Sequence, residues 1–219
     1  MDSASQLPPP KEDDHTYHML SARVTRRESS GEVLDFKVFC NRIEDTEGGE
    51  VETNVASLKG FVHYSLEMPG MADFDVYDER SQHCLQAHGI MRKRRVLIKK
   101  QLPHIDFGII DQVILLEKLW VEPAYRGQEL GLRLMQEARH LFARPQAFVI
   151  LKAHPDGENV KDADCLKLAD YYCSSQLLGL KPLSKRVLPG WLVGNWWAPL
   201  PDDNDPPFWW PREDRPLIA

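Results

Sequence analysis

Three features of this chain could do chemistry together. The first is a turn, Arg126-Gly127-Gln128-Glu129-Leu130-Gly131-Leu132, which follows the apolar run ending Leu119-Trp120-Val121-Glu122-Pro123. A buried strand followed by a glycine turn and a helix leaves the first helical N–H groups without intrahelical partners, and the helix dipole adds about half a positive charge there. Such a turn suits a pyrophosphate. Gly127 lets the backbone bend, and Gly131 lets a ligand or neighbouring backbone come close. The spacing is neither GxGxxG nor the P-loop pattern, so both of those nucleotide-binding readings fail. The second feature is Glu117, an acid inside the apolar run Gln112 to Val121, where at period two it shares a face with Val113, Leu115, Leu119 and Val121. An acid in such a place needs either a neighbouring Lys or Arg to pair with or a proton to transfer. The third is Tyr172, a phenol on the apolar face of a second helix, where it serves either as core or as a proton donor.

The elements that must hold these residues are legible as hydrophobic periods. Gln112 to Val121 is too apolar and too branched for anything but a buried strand. From Gln128 to Ala143, Leu130, Leu134, Ala138 and Leu141 recur at helical spacing beside Met135 and Phe142, and Pro145 ends the helix. Residues 147–153 form another buried strand. A strand–helix–strand unit of this length predicts a parallel pair. A further helix is expected from Asp162 to Leu178, with Leu166, Ala169, Tyr172 and Cys173 on one face and Gly179 at its C-terminal cap. Val187 to Trp197 reads as strand. Upstream, Leu34, Phe36, Val38 and Cys40 alternate with polar residues from Val33 to Arg42. A turn at Glu47-Gly48-Gly49-Glu50 and a strand from Val55 to Leu66 complete a meander. Asp78 is placed to cap a helix starting near Glu79.

Composition bounds the rest. The chain has 219 residues, 42% hydrophobic and 27% charged, with a net charge of −6. Those values fit one large globular domain over 16–198, flanked by a disordered arm at 1–15 and a tail at 199–219 rich in Pro and Trp. The acidic balance argues against a dedicated nucleic-acid binder. The run Arg92 to Lys100 carries six basic residues in nine, read as a solvated face with an anionic partner as the alternative. No apolar stretch reaches 18 residues, so no membrane span or membrane partner is expected, and the N-terminus lacks the features of a signal peptide. A cytoplasmic location follows as the expectation. Cys40, Cys84, Cys165 and Cys173 form no CxxC pair and read as buried thiols, with no metal expected. The crowded aromatics Trp191, Trp196, Trp197, Phe208, Trp209 and Trp210 read as tail packing over the sheet, with a homodimer contact or an acceptor wall as alternatives.

At the glycine turn the sequence resembles the GCN5-related N-acetyltransferase superfamily. That family's signature is Arg or Gln, two residues, Gly, one residue, then Gly or Ala, after a strand ending Val-x-Pro. Here it stands as Arg126-Gly127-Gln128-Glu129-Leu130-Gly131 after Val121-Glu122-Pro123, with Glu129 in place of the usual first glycine. A second stretch, Leu168-Ala169-Asp170-Tyr171-Tyr172 and then Gly179-Leu180-Lys181-Pro182-Leu183, is similar to the family's Tyr-to-Gly segment with three extra residues. The resemblance covers residues 112 to 183. It implies an α/β fold with a mixed, twisted sheet whose central parallel pair splays to admit acetyl-CoA. Strand backbone at Leu119 and Val121 would pair with the pantetheine arm. Arg126, Gly127 and the N–H groups of Gln128, Glu129, Leu130, Gly131 and Leu132 would hold the pyrophosphate, less tightly for the carboxylate of Glu129.

The activity implied is transfer of the acetyl group of acetyl-CoA to a primary amine of a small molecule, peptide or protein. An alkylamine is almost wholly protonated at pH 7, so a base must free its nitrogen and a donor must protonate the leaving thiolate. Glu117 is the candidate base, against a structural ion pair, and Tyr172 the candidate acid, with Tyr171 as the alternative that the three extra residues leave open. Asp73, Asp75, Asp78 and His88 lie where the family frames its acceptor, although capping and solvation account for them. Two other classes stand beside this one: a non-catalytic acetyl-CoA- or protein-binding module, and a nucleic-acid or protein partner surface at Arg92 to Lys100.

Overall fold

A computed structural model describes residues 16–26, 33–64, 74–144, 147–157 and 159–196. The expected arm and the whole of the expected tail lie outside them, as do Asp73 and Trp197. The described residues form an α/β fold with one seven-stranded mixed sheet. In chain order the strands are β1 (Thr16–Arg26), β2 (Val33–Thr46), β3 (Gly49–Tyr64), β4 (Gln112–Val121), β5 (Ala147–Lys152), β6 (Leu180–Ser184) and β7 (Leu188–Asn195). The helices are α1 (Phe74–Asp78), α2 (Gln82–Lys93), α3 (Arg95–Gln101), α4 (Leu130–Phe142) and α5 (Asp162–Cys173). Strand order is β1-β2-β3-β4-β5-β7-β6, and the β4–β5 pair is parallel, as the strand–helix–strand unit requires.

The sheet is covered on both faces. On one, Leu134, Met135, Ala138 and Phe142 of α4 and Ala169 and Tyr172 of α5 pack on Phe36, Leu58, Val62, Ile114 and Val149. On the other, Cys84, Ala87, Met91 and Ile98 of α2 and α3 pack on Phe61, Val113, Leu115, Phe148 and Ile150. Several expectations need correction. Leu141 is 39% exposed, because the stripe Leu130, Leu134, Ala138 continues at the fourth residue on, Phe142, whose ring lies 4.6 Å from that of Phe36. The N-cap of α2 is Ser81, whose Oγ accepts from the Cys84 N–H at 3.2 Å, while Asp78 closes α1.

The helix expected to reach Leu178 stops at Cys173. There Ser174 Oγ donates to the Tyr171 carbonyl at 2.7 Å, a local bond that competes with helix continuation. A single 3-10 turn, Gln176–Leu178, then leads to Gly179 at φ 58°. That turn accounts for the three extra residues between Tyr172 and Gly179. β1 and β6 are strands that the apolar periods do not predict, and the β2–β3 hairpin extends farther towards its turn than the apolar alternation does.

β4 departs from the regular alternation expected of it. Pairing with β3 matches Leu116 with Gly60 and Lys118 with Lys59, leaving Glu117 as the extra residue of a β-bulge. One added residue inverts the side-chain alternation. Val113 and Leu115 therefore face α2 and α3, whereas Leu119 and Val121 pack with the α4 layer. The five residues do not share one face.

Candidate functional site

The bulge coincides with a parting of the strands. Parallel pairing runs from Gln112 opposite Ala147 to Leu116 opposite Leu151 and ends there. Beyond it β4 stays bonded to β3, and β5 stays bonded to β7 through Lys152 opposite Trp191. Between them opens a cleft of about 210 Å³, lined on its apolar side by Leu58, Leu116, Leu119, Met135 and Leu151. The Glu122 N–H donates to the Val55 carbonyl on β3 at 2.9 Å. Alternation along a strand then turns the N–H and C=O of Val121, and of Leu119 two residues earlier, towards the gap.

Glu117 and Tyr172, far apart in sequence, line this one cleft. The Glu117 side chain is 10% exposed, and its Oε2 lies 3.3 Å from Lys59 Nζ and 3.9 Å from Arg80 Nη1. The Cys84 thiol donates to its Oε1 at 3.2 Å. Arg80 also pairs with Asp35 at 2.6 Å and lies over the Phe61 ring at 3.9 Å. Glu117 thus has the cross-strand cation a structural acid needs, at the rim of the cavity a catalytic acid needs.

Tyr172 reaches the cleft from α5, on the opposite face of the sheet from Cys84. It is buried, whereas Tyr171 is 39% exposed, so of the two tyrosines Tyr172 is the one in the cleft. Burial, then the neighbouring Tyr171 and Asp156, push the Tyr172 phenol well above its ordinary value, and it keeps its proton.

The glycine turn sits at the carboxyl end of β4. Gly127 has φ 85°, and Glu129 adopts the left-handed conformation at φ 59° immediately before α4. The bond from Arg133 N–H to the Glu129 carbonyl, 3.1 Å, closes the first turn, so the amides of Leu130, Gly131 and Leu132 precede it. The Leu130 and Leu132 side chains are buried, leaving only their backbone for a ligand. The Glu129 side chain is exposed. Arg126 Nε donates to the Val121 carbonyl at 3.2 Å, clasping the turn to the strand. At Gly131 a Cβ would meet Leu119 Cδ2 at 2.9 Å, so this glycine serves the close approach of α4 to β4.

The sequence reading missed His83, Lys118, Lys152, His154 and Asp156, which complete the cleft lining. His83 stands on α2 beside Cys84 and faces His154 with ring centroids 5.5 Å apart. No spacing announces this pair, because the residues come together only when α2 crosses the end of β5. Of the residues expected to frame an acceptor, Asp75 and Asp78 are exposed, while His88 is buried against the Tyr77 ring at 5.2 Å. The six basic side chains of Arg92 to Lys100 are exposed at the end of α2 and along α3. All four cysteines are free thiols. Among the described residues no cluster of three or more His, Cys, Asp or Glu side chains could hold a metal, and no helix is long and apolar enough to cross a membrane. No protein-family model and no curated protein matches the chain.

Proposed function

We propose that the protein is an N-acetyltransferase, similar in fold to the GCN5-related superfamily, that moves the acetyl group of acetyl-CoA to a primary amine. The observation that carries this reading is the parting of β4 from β5 at the Glu117 bulge, with a positive-φ turn and the start of α4 at the same strand end. The residues present fit the substrate. Leu119 and Val121 offer strand backbone to the amides of a pantetheine arm, and Leu58, Leu116, Met135 and Leu151 offer apolar walls to its alkyl segments. The amides from Gln128 to Leu132 and the dipole of α4 suit the pyrophosphate. The Arg126 side chain is free to leave the Val121 carbonyl for a phosphate at small cost, because that bond is exposed.

Chemistry follows from the two sides of the cleft. The amine nitrogen attacks the thioester carbonyl carbon, and collapse of the tetrahedral adduct breaks the C–S bond. Tyr172 donates to the departing sulfur and regains a proton as the adduct nitrogen loses its own. Of the competing readings, Glu129 favours a non-catalytic acetyl-CoA-binding module, since a carboxylate stands where phosphates would lie. Thermal shift with acetyl-CoA tests both: at one hundred times Kd the gain is about 2.7 kcal/mol. Free thiol released with an amine panel then separates enzyme from module. No shift at millimolar acetyl-CoA removes both.

A further inference from the structure

We propose that His83 is the general base of this cleft, taking the proton from the acceptor ammonium on the α2 side while Tyr172 serves the sulfur from the α5 side. The inference rests on the acetyltransferase reading and assigns a catalytic residue to it. Its first ground is geometry. The cleft passes between the two helical layers, with Cys84 and its neighbour His83 on one side and Tyr172 and Met135 on the other. The nitrogen and the sulfur of the tetrahedral adduct are separate atoms, so a base at one and an acid at the other can come from different walls of the cleft, as His83 and Tyr172 do. The second ground is occupancy. Glu117, the obvious carboxylate, accepts from the Cys84 thiol on one oxygen, and its other oxygen, buried and without a hydrogen bond, is engaged in ion pairs with Lys59 and Arg80. The His83 ring faces the cleft and His154, an exposed residue at its mouth.

Charge supports the assignment. Burial first, then Lys152 and His154, push the His83 imidazole below its ordinary value, so it is neutral at pH 7 and its lone pair is available. The groups around it are Lys152 on β5, His154 and Asp156 beyond β5, Glu117 and Lys118 on β4, and Tyr172 on α5. A cation such as Lys152 also disfavours the charged form of an arriving ammonium, which eases the transfer. The proton balance is simple. The ammonium proton passes to the His83 ring and then to solvent at the exposed mouth, and the neutral nitrogen attacks. The net products are the amide, the free thiol and one proton.

The test uses the full chain, acetyl-CoA and propylamine, an acceptor small enough to demand no specific acceptor pocket. Thermal shift by acetyl-CoA comes first, on wild type and His83→Gln; its absence in wild type overturns the acetyltransferase reading itself. With that shift present in both, the wild-type kcat/KM should rise with pH through an inflection below about 6.5. His83→Gln should lose that inflection and about 10²–10⁴ in rate. A proton NMR titration of the His83 ring should give the same midpoint, and acetyl-CoA should move that resonance. A His83→Gln variant that keeps the inflection overturns the proposal, as does a Glu117→Gln variant that alone abolishes it. So does a His83 resonance that titrates at or above the ordinary value or is unmoved by acetyl-CoA.

Discussion

Glu129 holds a left-handed backbone conformation that glycine occupies freely and a branched residue resists. The strain is about 1–2 kcal/mol for a side chain with a Cβ. Its carboxylate at the start of α4 returns part of this through the helix dipole. Glu129→Gly should therefore leave urea stability within about 0.5 kcal/mol of wild type, while Glu129→Ile should lose about 1–2 kcal/mol. In the proposed function the glycine variant should also bind acetyl-CoA more tightly by calorimetry; equal or weaker binding would remove the electrostatic account of this position. The sequence showed Glu129 as a departure from a glycine pattern, and the backbone explains what the pattern is for. It also brought out Glu117 and Tyr172, because an acid in an apolar strand and a phenol on an apolar helix face are anomalies in their own periods. His83 and His154 are ordinary in theirs. Only the crossing of α2 over the end of β5 makes them a pair.

Periodicity reported the elements wherever one face is fully buried, which is why β4 carries the expected bounds and β5 differs by a single residue. β1 escaped because its alternation is mostly solvent-exposed and polar, and β6 because Pro182 interrupts a five-residue strand. The bulge at Glu117 was invisible for a different reason: it is a relation between two strands, fixed by what stands opposite. On β3 the bulge falls between Lys59 and Gly60, and Gly60 pairs with Leu116. A Cβ there would come within 2.6 Å of Phe36 Cζ and closer still to the Leu115 carbonyl, so β3 can approach β4 at this point only with glycine. Gly60→Ala should cost about 2–3 kcal/mol and lower Tm by roughly 5–10 °C in calorimetry. A neutral Gly60→Ala would mean that the register relaxes easily and that the bulge is not fixed by packing.

Across the whole molecule, buried acids of high pKa set its response to alkali. Burial pushes Cys40 and Cys84 up to about 11, and Tyr172 rises in the same direction. Each folded-state group keeps a proton that the unfolded chain releases, so the stabilisation is complete below the ordinary thiol and phenol values and declines as pH climbs past them. Urea midpoints should hold steady to about pH 8 and fall progressively from about pH 9. Combining Cys40→Ala with Cys84→Ala should flatten the first part of that fall, measured relative to each protein's own midpoint at pH 7. The parting strands have a mechanical meaning as well. Five residue pairs between β4 and β5 are the seam joining β1–β4 to the block of β5, β7 and β6, which α5 braces. Within the sheet this seam is a line along which the smaller block can loosen, while α2, α3 and α4, which pack on both sides of it, tie the two blocks together. Native-state hydrogen exchange should divide the backbone amides into two families, with Ile150, Leu192 and Val193 opening together at lower free energy than Phe61 and Val62. A substrate clamped across the open end of that seam should draw the two families together.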